Sequence, residues 1–212
     1  MSPSEPAAYL SHLVVVAASA GGLAALETLL SHLPKRFPAP LVIVLHLSPD
    51  HRSHMAEILE RYTDLRVKQA EEGDTLRAGT VYCAPPDFHV LVTEERTLTL
   101  THTGQVRHVR PSADALFESA AEVFGEGVVA VVLTGTGRDA QDGTRAVKRR
   151  GGVTLAQDER AQYFGMPQAA IQTGMVDFVL PLEKLAAKVL ELTLDPDDAK
   201  RPFSDKPVEE TL

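Results

Sequence analysis

Three stretches of this chain are apolar at every position rather than at every second one. They are Leu13-Val14-Val15-Val16-Ala17-Ala18, Leu41-Val42-Ile43-Val44-Leu45 and Val128-Val129-Ala130-Val131-Val132-Leu133. A strand that packs on a core with one face only alternates apolar and polar residues. A strand without alternation is buried on both faces, which occurs where helices cover a parallel sheet from above and below. Helical spacing fills the intervals: Leu23, Leu26, Leu29, Leu30 and Leu33 follow the first run, and Met55, Ile58 and Leu59 follow the second. Alternating strands and helices predict an α/β fold, a doubly wound and mostly parallel sheet with helices on both faces.

Along the chain the spacing predicts strand 13–18 and helix 22–33, broken by Pro34 and Pro38. Strand 41–45 ends at His46, and Pro49-Asp50 opens a helix through about Arg61. Residues 65–101 change character. Short strands around Val67, Thr80 to Ala84, His89 to Val92 and Thr97 to Thr101 are separated by Gly73-Asp74, Pro85-Pro86 and Glu94-Glu95. They read as extra strands with an added β-hairpin at one side of the sheet. The alternation then resumes: Ser112 caps a helix over 113–124, strand 128–133 follows, and a glycine-punctuated loop leads into a helix over 140–149. Strand 153–156, a short helix after Pro167, strand 176–180 and a helix over 182–193 complete the pattern. Residues 1–11 read as a loose leader, 12–194 as one folded domain, and 195–212 as a disordered acidic tail.

Composition narrows the function classes. The formal net charge is −8, and acidic and basic residues are spread along the chain, which argues against nucleic acid as a partner. The most basic stretch, Arg145 to Arg150, reads as the solvated last turn of a helix. Cys83 is the only cysteine, so neither a disulfide framework nor a thiolate metal cluster is available, and it reads as a core thiol. No apolar run reaches membrane-spanning length, so membrane insertion is not expected and the cytoplasm is the expected location.

In a doubly wound sheet every strand-to-helix loop emerges at the carboxyl ends of the strands, where ligands bind. Ser19 follows the first buried strand, His46 the second, and Asp139 the strand at 128–133. A serine hydroxyl becomes a useful nucleophile when an imidazole removes its proton, and a carboxylate must hold that imidazole in the right tautomer. Taken singly, Ser19 could be a helix N-cap, His46 a core histidine, and either Asp139 or Asp142 a helix cap. His46, His51 and His54 form a small histidine cluster, but no further ligand stands at a diagnostic spacing, so no metal is expected. The loops Ser19-Ala20-Gly21-Gly22 and Gly135-Thr136-Gly137 lack the spacing of a nucleotide cradle.

Ala18-Ser19-Ala20-Gly21-Gly22 resembles the nucleophile turn of the CheB family of chemotaxis protein-glutamate methylesterases. Four further stretches resemble the family pattern in order: His46 with Pro49, Glu71-x-Gly73 through Ala84-Pro85, Arg110-Pro111-Ser112-x-Asp114-x-Leu116-Phe117, and Leu133-Thr134-Gly135-Thr136-Gly137-Arg138-Asp139. The last carries on into Gln157-Asp158-Glu159 and Phe164-Gly165-Met166-Pro167. The resemblance implies Ser19 as nucleophile, His46 as base, Asp139 rather than Asp142 as orienting carboxylate, and the backbone N–H groups of Ala20 and Thr136 as oxyanion donors. It departs at Ala17, Ala20 and Thr136, and at Ala140, which replaces a glycine where alanine resists positive φ.

The resemblance implies hydrolysis of glutamate methyl esters on a protein, with glutamine deamidation by the same acyl chemistry and no cofactor. The implied partner is the methylated cytoplasmic helices of a chemoreceptor-like protein, alongside a methyltransferase or a separate regulator chain. Family members typically carry an N-terminal receiver domain, which 11 residues cannot supply, so an unrestrained site is expected here. Rival readings are a general carboxylesterase on small esters and a non-catalytic signalling module that keeps the fold.

Overall fold

The computed structural model describes residues 10–46 and 54–194; the expected leader up to residue 9, the helix start at Pro49-Asp50, His51 and the expected tail lie outside them. The elements are β1 (Leu13–Ala18), α1 (Gly22–Ser31), β2 (Leu41–Leu45), α2 (Met55–Leu59), β3 (Arg66–Gln69), β4 (Thr80–Cys83), β5 (His89–Val92) and β6 (Leu98–Thr101). They continue with α3 (Ala113–Phe124), β7 (Val128–Val132), α4 (Gln141–Arg149), β8 (Val153–Gln157), α5 (Gly165–Ile171), β9 (Phe178–Leu180) and α6 (Leu182–Thr193).

Seven strands form one sheet in the order β3-β4-β2-β1-β7-β8-β9, every pair parallel. The sheet has helices on both faces, and the burial of β1 shows why its sequence does not alternate. Val14, Val16 and Ala18 enter the core under α1, α2 and α6. Leu13, Val15 and Ala17 enter the core under α3, α4 and α5. All six are fully buried. Each Val or Leu removed from water in this way stabilises the fold by about 1.5–3 kcal/mol before entropy is counted. β1 is central, with β2 on one side and β7 on the other, so the winding reverses at its carboxyl end. A crevice opens at such a switch point.

β3 and β4 are extra strands at one side of the sheet, as the sequence predicts, and they extend it in parallel, β4 pairing with both β2 and β3. Beside them β5 and β6 form a separate antiparallel hairpin, whose Val90, Val92 and Leu98 share a core with α3. One expectation changes: the short helix begins before Pro167, at Gly165, with the proline in its first turn, where a missing N–H costs nothing. Cys83 is buried in β4, and burial pushes its thiol up to about 12, as a core thiol requires. Among the described residues no helix is long and apolar enough to cross a membrane.

Candidate active site

The three strands that meet at the switch point bring the three polar residues to one edge. The ladder pairs Ala18 with Leu45, and the His46 N–H continues it by donating to the Ala18 carbonyl at 3.1 Å. On the other side the Ser19 N–H donates to the Thr134 carbonyl at 3.0 Å. Ser19 therefore lies between His46 and Thr134 in register, each about 4.8 Å away at the backbone. Gly21, at φ 71, turns the chain, and α1 starts at Gly22.

The imidazole and the carboxylate are joined. His46 Nε2 lies 2.8 Å from Asp139 Oδ2, which leaves Nδ1 as the ring nitrogen free for Ser19. Asp139 is 4% exposed and accepts three more bonds, all from the start of α3. Ser112 Oγ donates to Oδ1 at 2.8 Å, the Ala113 N–H to Oδ2 at 2.6 Å and the Asp114 N–H to Oδ1 at 3.1 Å. Burial pushes the Asp139 carboxyl up. The His46 bond, the Ala113 amide, the charge of a protonated His46 and the Asp114 amide together outweigh burial and hold the carboxyl below its ordinary range. Asp142 makes no such contact; it pairs with Arg107 and Arg145.

Ser19 is placed differently. It is half-buried, and among the described residues its Oγ has no hydrogen-bond partner, so the Ser19–His46 bond expected of an assembled triad is not closed. Register brings the two side by side, and the hydroxyl is one rotation about Cα–Cβ from other positions. Such bonds are often open until substrate binds.

The two backbone N–H groups expected to receive an oxyanion lie on the flanking loops. Among the described residues the Ala20 and Thr136 N–H groups donate to no other group, whereas their neighbours Gly22 and Gly135 donate to Ser19 O and Tyr163 O. Gly135 has to be glycine: a Cβ there would lie 2.4 Å from Met166 Sδ and 2.8 Å from Ser19 Cβ. The loop after β8 buttresses this turn in ways the sequence does not announce. The Tyr163 carbonyl accepts from the Gly135 N–H at 2.8 Å, and the Met166 N–H donates to Gly135 O at 2.9 Å. Ala140 does take the left-handed conformation, φ 74, at a cost of about 1–2 kcal/mol for a side chain. The turn thus keeps the form a glycine would give it.

Of the histidine cluster, His46 is committed to Asp139 and His54 pairs with Glu57 at 2.8 Å. Ser112 and the α3 amides are site residues that were not singled out as such. The signal available was Ser112 as an N-cap, which it is, accepting from the Ala115 N–H.

A parallel α/β sheet with a hydroxyl beside an imidazole–carboxylate pair at its switch point has the architecture of a hydrolase domain. Residues 14–189 match the family model for CheB methylesterase, and the chain belongs to that family. It is 42% identical over 194 residues to the protein-glutamate methylesterase/protein-glutamine glutaminase of Pyrococcus abyssi, covering 90% of this chain and 52% of that one. A Leptospira interrogans relative is 38% identical over 180 residues, covering 84% of this chain and 93% of that one. The crystal structure of the Thermotoga maritima CheB methylesterase catalytic domain superposes with a TM-score of 0.82 at 37% identity, covering 85% of this chain and 98% of that one. The chain thus spans about half the length of the Pyrococcus relative.

Proposed function

We propose that this chain hydrolyses glutamate methyl esters on the methylated cytoplasmic helices of a chemoreceptor-like protein, with Ser19 as nucleophile, His46 as base and Asp139 as the orienting carboxylate. His46 Nδ1 takes the Ser19 proton as Oγ attacks the ester carbonyl. The tetrahedral oxyanion is received by the Ala20 and Thr136 N–H groups. The intermediate collapses as the imidazolium protonates departing methanol, leaving an acyl-serine. Water then attacks the acyl-serine, giving its proton to Nδ1, and collapse returns the carboxylate and the free serine. A side-chain amide in place of the ester would leave as ammonia by the same steps, so glutamine deamidation is part of the reading. The steps use this chain's side chains and amides with no cofactor.

The observation that carries the reading is the 2.8 Å His46–Asp139 contact, made from a carboxylate held by a helix N-terminus, in register beside a serine whose hydroxyl has no partner among the described residues. The deciding experiment is methanol release from methylated receptor membranes by the purified protein and by Ser19→Ala. Release by wild type and none above background by the variant is expected; equal release by both removes the reading.

A further inference from the structure

Asp139 is not the only carboxylate buried at this edge. Asp114, in the first turn of α3, is 2% exposed. Its Oδ1 accepts the Gly143 N–H at 2.8 Å, and its Oδ2 accepts Arg107 Nε at 3.2 Å. Gly143 lies in the first turn of α4, a helix whose own N-cap residue, Ala140, supplies no side-chain cap. The cap of α4 therefore comes from α3, while the side-chain oxygens of Asp139, just before α4, receive the first amides of α3. Two carboxylates cross over, each seated on the other's helix. A helix N-terminus stabilises a negative charge through its free amides and aligned peptide dipoles, so the exchange serves both ends.

The crossing is also tight. A Cβ on Gly143 would lie 2.6 Å from Phe117 Cβ and 3.2 Å from Asp114 Cα, so only glycine lets α4 approach α3 this closely. Arg107 closes the arrangement from outside. With His108 it forms the tip of a two-residue turn, closed by reciprocal Val106–Val109 backbone bonds, both tip residues at positive φ (48° and 68°). That conformation favours Asn-Gly; here an arginine holds it, reaching Asp114 and Asp142 together. Burial and the neighbouring Asp139 and Asp142 push the Asp114 carboxyl up to about 6, against the Gly143 amide and the Arg107 charge. The charged groups facing Asp114 are thus Arg107 from the turn, and Asp139 and Asp142 from the start of α4, with Arg145 behind Asp142.

We infer that Asp114, clamped by Arg107, is a positioning residue for Asp139, fixing the start of α4 and thereby where the orienting carboxylate meets His46. This rests on the hydrolytic reading above. Misplacing a reacting group by an ångström costs up to about a hundredfold in rate, so Asp114→Asn should lower kcat about tenfold or more with KM within about twofold.

The test measures release of labelled methanol by wild type, Ser19→Ala, Asp114→Asn, Asp139→Asn and the double variant, well below their melting temperatures. If Asp114 acts through Asp139, adding Asp114→Asn to Asp139→Asn should cost less than about twofold, because coupled residues are not additive. A structural role alone would lower Tm and leave kcat unchanged, or lower kcat by the same factor in both backgrounds; either result overturns the inference while Ser19 dependence stands. Equal release by wild type and Ser19→Ala would instead remove the hydrolytic reading. The inference is then decided by amide spectra, in which the Ala113 amide and the His46 ring should shift in Asp114→Asn; unmoved signals overturn it. Should Asp114→Asn fail to fold, Arg107→Gln leaves the carboxylate in place and carries the same comparison.

Discussion

The two sides of the candidate site are built on opposite plans. On the Asp139 side a buried carboxylate accepts four hydrogen bonds and sits against a second buried carboxylate that caps the next helix. On the Ser19 side a half-buried hydroxyl has no partner among the described residues, and beside it two backbone N–H groups have none either. The difference fits the roles proposed for each side. An orienting carboxylate works by staying where it is, and an unpaired buried charge would be costly, so it is saturated with donors. A nucleophile has to change partners during turnover, so a strong bond in the resting state would oppose it.

If that contrast is right, the largest effects fall on the residues that change partners. Ser19→Ala or His46→Ala should each remove essentially all triad-dependent turnover, on the order of 10³-fold or more, because nucleophile and base act as a unit. A steady-state assay of methanol release checks this, and substantial activity left in either variant breaks the assignment.

Asp139→Asn should cost nearly as much, about 10³–10⁴-fold in kcat, through the wrong imidazole tautomer. It should also lower Tm, which Ser19→Ala should not, since only the carboxylate is tied into the fold. Equal Tm values for the two variants would erase the proposed division between a fixed and a mobile side.

Ser112→Ala removes both a donor to Asp139 and the cap of α3. A loss of about 1–2 kcal/mol in denaturant unfolding is expected, with a fall in kcat far smaller than that of Asp139→Asn, since two α3 amides still hold the carboxylate.

Smaller still is a dependence on pH. Asp114 titrates at about 6 in the fold against an ordinary 3.8, so between those values the folded state holds more protons than the unfolded. Its contribution therefore makes the protein less stable as pH rises through that window. Asp139 is lowered instead, so the stability it contributes is present above its unfolded value and is lost as pH falls through its folded one. The Tm difference between wild type and Asp114→Asn should shrink, or change in favour of the variant, as pH rises from about 4 to 6. A difference constant across that range would contradict a raised Asp114.

Smallest of all is Asp142→Asn, whose carboxylate faces Arg107 and Arg145 at the surface. Activity within about twofold of wild type is expected, and a loss matching that of Asp139→Asn would show that the wrong carboxylate carries the role.

Much of the fold was legible because burial on both faces leaves a local mark. β1, β2 and β7 have to be apolar at every position, and Ser112 announces α3 by cap chemistry that acts over three residues. That β3 and β4 lie at one side of the sheet was legible, but their parallel pairing and order were not: a strand's neighbour in a sheet is chosen by nonlocal pairing, and short runs such as Arg66–Gln69 suit a hairpin as well as a parallel edge. In the site, Ser19 and His46 could be placed at one edge from strand ends alone. Choosing between Asp139 and Asp142 on residue type could not be done, because both stand at the start of one helix and either can cap it.

The sequence by itself determined the layered α/β architecture and the edge at which its polar residues gather, because strand periodicity and helix spacing are properties of neighbouring residues. The resemblance pointed to Asp139 over Asp142, and the tertiary structure turns Asp139 to His46 and Asp142 to Arg107; only the tertiary structure decided that Ser112 and Asp114, some 25 residues earlier in the chain, complete the buried cluster. Those contacts are made by packing α3 on α4, and no local pattern records which amides a folded helix will offer to a carboxylate that reaches it from another part of the chain.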